Sequence, residues 1–275
     1  MFKQRFVTAS VLALLFFCAL VFSSTATFVS CIMLVVLIAG WEWSNLARIE
    51  STVGRLSFLL ALLVSMLLIA SFAGIYNENN FALSYQICFL SVILWAVIFL
   101  WLQGYPSSAI LWSSKPIMLF LGLFLLTSTW LALSSIVSLE NGRYLLLLAV
   151  TIIVLADVGG YIAGKLFGRH KLAPTISPGK TWEGLVGGLI LQSCLIAVLA
   201  QFFADVSLLL LCFLVFPVAL SSVVGDLFES MLKRHRGIKD SSNFLPGHGG
   251  FLDRLDGVMA ALPLFFVILT QANPF

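Results

Sequence analysis

This 275-residue chain is short of charge: Lys, Arg, Asp and Glu make up only 10% of it, against 61% hydrophobic residues and 24 Phe. So little charge excludes a soluble globular domain of this length, whose surface could not be covered by so few ionised groups. Cysteine chemistry is lacking as well. Cys18, Cys31, Cys88, Cys194 and Cys212 all lie inside apolar runs, with no CxxC or Cys/His spacing. They read as small hydrophobes within helices rather than as disulfide partners or zinc ligands. The chain has no internal repeat and no low-complexity tract, and its net charge of +3 is weak evidence for nucleic acid, which is not expected as a partner.

What is present is a succession of apolar runs. A helix needs about 20 apolar residues to cross the hydrocarbon core of a bilayer. By that measure nine spans are expected, roughly 6–22, 26–44, 54–75, 83–102, 116–137, 143–164, 182–203, 206–229 and 252–270. Only residues 23–25 separate the first two, so eight is the alternative count. Lys3 and Arg5 ahead of the run from Phe6 to Phe22 imitate a secretory signal peptide. A second apolar run follows almost at once, so we read the segment as an uncleaved first span. The expected fold class is all-α, a polytopic integral membrane protein embedded in a lipid bilayer.

The basic residues orient this chain. With a cytoplasmic N-terminus, the inside segments carry 14 of the 15 Lys and Arg residues, and Arg143 alone falls outside. The two halves differ. Spans up to about residue 140 are apolar with short loops, and read as a scaffold (1–140). From 141 to 275, intramembrane acids, glycines and the basic loops 165–181 and 230–252 concentrate, and this half reads as the working one. In the first half, Trp41 and Trp43 are expected to anchor at the interface, with Glu42 as a carboxylate near water.

Four stretches carry chemistry. In Ala156-Asp157-Val158-Gly159-Gly160, Asp157 lies about two turns inside the membrane from Lys165, a depth at which ionisable groups usually face a polar cavity. Gly160, Gly164 and Gly168 recur every fourth residue as a ridge for close helix packing. The loop from Ser177 to Thr181 holds Gly179-Lys180-Thr181, but Pro174 stands where a Walker A loop requires glycine. Ser177, Lys180 and Thr181 are instead expected to open a helix whose free N–H groups cradle phosphate.

On the eighth span Asp226 and Glu229 share a helical face. Glu229 precedes Lys233 by four residues, so it reads equally as a helix-pairing residue and as a ligand, whereas Asp226 has no such local partner. The run Ser230–Asp256 is the densest polar stretch, with five Lys/Arg, three Asp and two His in 27 residues. Glycines 247, 249 and 250 around His248 suggest a turn whose amides form an anion nest. Asp253 and Asp256 follow on one face of a helix start. Carboxylates gathered there repel unless a cation is present, and hard oxygens at a membrane surface favour Mg²⁺, which bridges substrate phosphates. With Lys233, Arg234, Lys239 and Arg254 nearby, the set points to phosphoryl or nucleotidyl transfer.

The run resembles the signature of the CDP-diacylglycerol synthases, or phosphatidate cytidylyltransferases. The signature positions are filled by Ser230, Lys233, Arg234, Lys239, Asp240, His248, Gly249, Gly250, Asp253, Arg254 and Asp256. Asp157 with Gly159 and Tyr161, Gly164–Gly168, Ser177–Trp182 and Gly225–Ser230 extend the likeness over about residues 150–260, and Trp41-Glu42-Trp43 resembles a feature of the other half. Family members often carry a small hydroxyl residue after the equivalent of Asp157, where this chain has Val158.

The resemblance implies transfer of CMP from CTP to phosphatidic acid, giving CDP-diacylglycerol and pyrophosphate. It implies a paired-cation site, Mg²⁺ with a second cation such as K⁺, held by Asp226 and Asp253 with Asp256 assisting. The catalytic set would be Asp226, Asp253, Asp256, Lys239 and His248, the last read either as a general base or as a turn-positioning or phosphate contact. Substrate binding would fall to Ser177, Lys180, Thr181, Lys233, Arg234, Arg254, Gly249, Gly250 and Asp157. A homodimer in a bacterial inner membrane, with its site on the cytoplasmic face, is the accompanying expectation. A CDP-alcohol phosphotransferase would need a spaced Asp-Gly…Ala-Arg signature, which is absent, and a transporter would favour helices broken at mid-membrane.

Overall fold

The computed structural model describes residues 2–77, 80–203, 206–242, 244–245, 247 and 249–272, with side chains from residue 7 onward. In chain order come α1 (Phe2–Phe22), α2 (Thr25–Leu46), α3 (Thr52–Phe72), α4 (Phe81–Gly104), the single turn α5 (Ala109–Trp112), α6 (Lys115–Val137) and α7 (Gly142–Phe167). A hairpin of β1 (Lys171–Ala173) and β2 (Ser177–Thr181) follows, then α8 (Trp182–Phe202), α9 (Leu208–Arg236) and α10 (Leu252–Ala272). Among the described residues, eight of these helices are long and apolar enough to cross a membrane, and α1 adds a shorter apolar stretch, Val7–Phe22. The protein is an all-α, polytopic membrane protein.

Helix starts follow local chemistry. Ser24, Ser51, Asn80, Thr181 and Ser207 each accept a backbone N–H of the first turn they precede, which satisfies one of the donors a helix start leaves over. At its far end α9 runs further than its apolar run. Lys233, Arg234, His235 and Arg236 fill the last turn, where cations suit the helix dipole, and Gly237 at φ +78° closes it. The expected basic loop at 230–252 therefore begins only after Arg236, and the one at 165–181 only after Phe167.

The hairpin departs from expectation. Ser177–Thr181 does not open a helix; it pairs antiparallel with β1, Lys171 opposite Thr181 and Ala173 opposite Ser177. Pro178 lacks the N–H that a helix interior needs, and α8 starts only at Trp182, with Thr181 as its cap. Glu183 ties the hairpin base down, its carboxylate accepting the backbone N–H groups of Arg169 and His170 and meeting His170 Nδ1 at 2.6 Å.

The centre of the bundle is α6, which is buried along most of its length, whereas α8 is buried at few positions and faces outward. Three indoles stitch the interior. Trp43 Nε1 donates to Met118 O at 2.8 Å, Trp130 Nε1 to Val29 O at 3.1 Å and Trp95 Nε1 to Met259 O at 3.1 Å. Trp43 is thus not the interfacial anchor expected of it. It is wholly buried, because Met118 satisfies its N–H and Gly122 leaves room for the ring. Trp41 remains half-buried under the Arg55 guanidinium.

The glycine ridge on α7 meets a second one on α8. A side chain at Gly159 would strike Gly187 O and Gly188 Cα at 2.8 Å, and one at Gly184 would strike Gly160 O at 2.7 Å. Backbones approach this closely only where both helices lack side chains. At the opposite end of α7, Arg143 donates to Val21 O at 2.8 Å and Ser23 O at 2.7 Å, holding the end of α1.

Candidate active site

The acids gather at the end of the bundle where α7 and α9 finish and α10 begins. Asp157 and Asp226 each lie ten residues before their helix ends, about 15 Å in at 1.5 Å per residue. Asp226 reaches the start of α10 because Gly225 packs against the backbone of Asp256 and Gly257, where any side chain would collide. This crossing puts Asp226 beside Asp256.

Two cavities meet here. A polar one of about 470 Å³ is lined by Asp157, Asp226, Asp240, Asp253 and Asp256 together with Lys233 and Arg254. A second, of about 500 Å³, lies between α7, the hairpin, α8 and α9, with Ser177, Lys180 and Thr181 at one side and Leu185, Leu189 and Leu220 at the other. Asp157 and Asp226 belong to both walls. Below the second cavity, Leu189 and Leu220 continue into an apolar groove between α8 and α9 that also holds Val186, Ile190 and Phe216. The polar chamber and the second cavity thus share an acidic wall, and the second cavity shares Leu189 and Leu220 with the apolar groove.

Each acid has its own setting. Lys180 Nζ stands 2.8 Å from Asp226 Oδ2, and the Ser230 hydroxyl donates to Asp226 Oδ1 at 3.3 Å. Lys233 Nζ sits between Asp253 Oδ1 at 2.5 Å and Glu229 Oε2 at 2.6 Å. Glu229 is fully buried, so it serves as the helix-borne partner of Lys233 rather than as part of a cavity wall. Asp256 accepts the N–H of Gly257 at 2.7 Å. Asp157 is exposed, its carboxylate open to the two cavities.

The glycine turn is not an open nest. Gly247 and Gly249 do adopt positive φ, +76° and +78°. However, the Gly250 N–H donates to Asp253 Oδ2 at 2.7 Å, so the chain's own carboxylate takes the amide that a substrate phosphate was expected to find. Arg234 is exposed and steadies the hairpin tip, its Nε donating to Ile176 O at 3.2 Å. Lys239 is exposed in the loop after α9, away from the walls of both cavities. His248 lies outside the described residues.

Among the described residues, no three Asp, Glu, His or Cys side chains converge tightly enough to hold a metal unaided. Asp226, Asp253 and Asp256 share a chamber, not a cage. The donor chemistry still fits Mg²⁺: five carboxylates against Lys233 and Arg254 leave the polar wall rich in hard oxygens. Mg²⁺ keeps most of its waters and takes one or two carboxylates plus substrate phosphates rather than an all-protein shell.

A profile of the Cytidylyltransferase family matches residues 3–272. The chain belongs to this family. It is similar to the phosphatidate cytidylyltransferase of Pseudomonas aeruginosa, 39% identical over 278 residues that cover 99% of this chain and 98% of that one. The phosphatidate cytidylyltransferase of Haemophilus influenzae is 35% identical over 286 residues, 96% of this chain and 97% of its own. That of Staphylococcus saprophyticus is 46% identical over 134 residues, 48% of this chain and 51% of its own.

Sequence reading of this cytidylyltransferase missed two contributors. Glu42, expected near water, is buried to 1% exposure and accepts the N–H groups of Phe251 and Leu252 at the start of α10. Ser241 donates its hydroxyl to Asp253 Oδ2 at 2.7 Å. A lone Glu between two tryptophans gives no signal of a partner some 200 residues away; only its setting in a run otherwise too apolar for a carboxylate could have raised the question.

Proposed function

We propose that this cytidylyltransferase transfers CMP from CTP to phosphatidic acid, producing CDP-diacylglycerol and pyrophosphate for phospholipid synthesis. The observation that carries this reading is the shared wall at Asp157 and Asp226 between a polar chamber and a cavity that runs into an apolar groove. A water-soluble nucleotide and a lipid suit those two sides, and their reacting groups would meet at the wall.

In the reaction, a phosphate oxygen of phosphatidic acid attacks the α-phosphorus of CTP. The bond from that phosphorus to the β-phosphate bridging oxygen breaks, and pyrophosphate leaves with the electron pair. Such transfer is governed by positioning and charge neutralisation. Lys180, on the hairpin side of the wall and 2.8 Å from Asp226, would hold the lipid phosphate against the nucleotide. Lys233 and Arg254 line the chamber where the triphosphate would lie. Arg234, bonded to the hairpin tip, and Lys239, in the loop after α9, stand outside the cavity walls and would add only longer-range positive charge. Ser177 and Thr181 bound the lipid side, with Gly249 and Gly250 shaping the turn that carries Asp253.

Asp226 and Asp253, with Asp256 beside them, would hold Mg²⁺ and a second cation such as K⁺. Mg²⁺ would neutralise phosphate oxygens and the departing pyrophosphate. With the basic ends of α7 and α9 facing the cytoplasm, CTP would arrive from that side of a bacterial inner membrane while the lipid stays in the bilayer. A homodimer accompanies this reading by family resemblance.

The test is pyrophosphate release by purified protein in lipid–detergent micelles. Release should require CTP, phosphatidic acid and Mg²⁺ together. Equal release with another nucleotide, or without the lipid phosphate, would overturn the assignment.

A further inference from the structure

Asp253 shares the Ser241 hydroxyl with a carboxylate from the first half of the chain, Glu42. We propose that Glu42 is the positioning residue for Asp253, acting through Ser241 and the first turn of α10; this rests on the cytidylyltransferase reading above.

Glu42 stands one turn from the end of α2 at 1% exposure, and among the described residues no Lys, Arg or His pairs with it. A buried carboxylate without compensation is costly. Here the compensation is a helix start. The first N–H groups of a helix have no acceptor of their own, and Glu42 supplies one: Oε2 accepts Leu252 N–H at 2.6 Å and Oε1 accepts Phe251 N–H at 3.1 Å. The positive end of the α10 dipole stabilises the anion in return. The Ser242 hydroxyl adds a further donor, to Oε1 at 2.5 Å.

The link to the polar chamber is Ser241. Its hydroxyl carries one proton and has two carboxylates in reach, Asp253 Oδ2 at 2.7 Å and Glu42 Oε2 at 3.2 Å. The same Asp253 oxygen also accepts Ser241 N–H at 3.0 Å and Gly250 N–H at 2.7 Å. No side chain fits at Gly250, since its Cβ would fall on Ser241 Oγ and the Glu42 carboxylate. Glu42, Ser241, Gly250 and Asp253 therefore form one closed knot. Oδ2 of Asp253 is turned into it, and Oδ1 is left toward Lys233 and the chamber.

The geometry makes Glu42→Gln informative. The amide keeps the volume but replaces one acceptor by a donor, which must then face either Leu252 N–H and Ser241 or Phe251 N–H and Ser242. Removing a group that orients a functional carboxylate from behind costs about 10- to 100-fold in activity. We expect that loss in kcat, with KM for CTP little changed. Ser241→Ala should act in the same direction, and the double variant should lose less than the product of the two single losses, because the residues belong to one hydrogen-bonded network. Losses that simply multiply would overturn the proposal, as would wild-type kcat in Ser241→Ala, the variant that decides if Glu42→Gln fails to fold.

Hydrogen exchange supplies the readout that does not depend on turnover. In Glu42→Gln, amides of 249–256 should exchange faster while those of α6 stay unchanged. Unchanged exchange at 249–256 overturns the proposal, and so does faster exchange throughout the bundle, which marks general destabilisation. Wild-type protein that turns over no CTP would remove the catalytic reading alone, leaving the exchange comparison to decide the role of Glu42.

Discussion

Lys180 Nζ and Asp226 Oδ2, 2.8 Å apart, join the hairpin to α9 at the wall shared by the two cavities. The pair holds a cation and an anion at the one place where both substrates would have to meet. Under the proposed reaction, Lys180 would exchange its carboxylate partner for the substrate phosphate.

Lys180→Met should therefore lower kcat/KM by about 10²–10³-fold, the range for removing one preorganised charge-stabilising donor. Steady-state pyrophosphate release at varied phosphatidic acid measures it. Kinetics within error of wild type would exclude Lys180 from the reaction.

Asp253→Ala should abolish turnover while the protein still inserts and folds, since it removes the carboxylate that Lys233 and the glycine turn are built around. The change leaves Lys233 paired with Glu229 alone and takes the acceptor from the Ser241 and Gly250 N–H groups, so some loss of stability should accompany it. Size-exclusion of the fluorescently tagged variant checks insertion, and the assay checks turnover. Near-normal rates would remove Asp253 from the site.

Gly188→Leu should fail through packing rather than chemistry. Even a Cβ at this position would stand 2.9 Å from Ala156 O, with the neighbouring turn of α7 closed against it. Overpacking of this kind costs about 1–3 kcal/mol, and forcing α7 from α8 would also reshape the wall that carries Asp157. A lowered melting temperature in detergent is the expected result, and an unchanged one would show that the helices can part freely.

Arg143→Ala should loosen α1 and spare the reaction. Its guanidinium bonds to Val21 O and Ser23 O lie at the other end of α7 from the acids. With the site partly open to solvent, a loss of about 1 kcal/mol is expected, read as a modest fall in melting temperature at unchanged kcat. A large fall in kcat would mean that α1 reaches the chemistry.

Much of this was legible in the residues. The apolar runs announced their helices because lipid leaves a spanning backbone almost no other way to satisfy its hydrogen bonds. The acids and bases of 226–256 announced a charged site because charge is so rare elsewhere in the chain. The α7 ridge announced close packing, although its partner ridge at Gly184, Gly187 and Gly188 went unremarked.

What stayed hidden was pairing at a distance. Periodicity and composition act locally: they determine which segments are helical, how the basic residues divide between the segments, and which side chains have chemistry to offer. They say nothing of which ends come together. That Ser177–Thr181 is a strand was decided by pairing with Lys171–Ala173, that Trp43 is core by Met118, and that the Gly250 amide is already taken by Asp253. Only the packed bundle could bring Glu42 onto the first turn of α10, because a buried carboxylate and a helix start each need a partner that neither can find in its own segment.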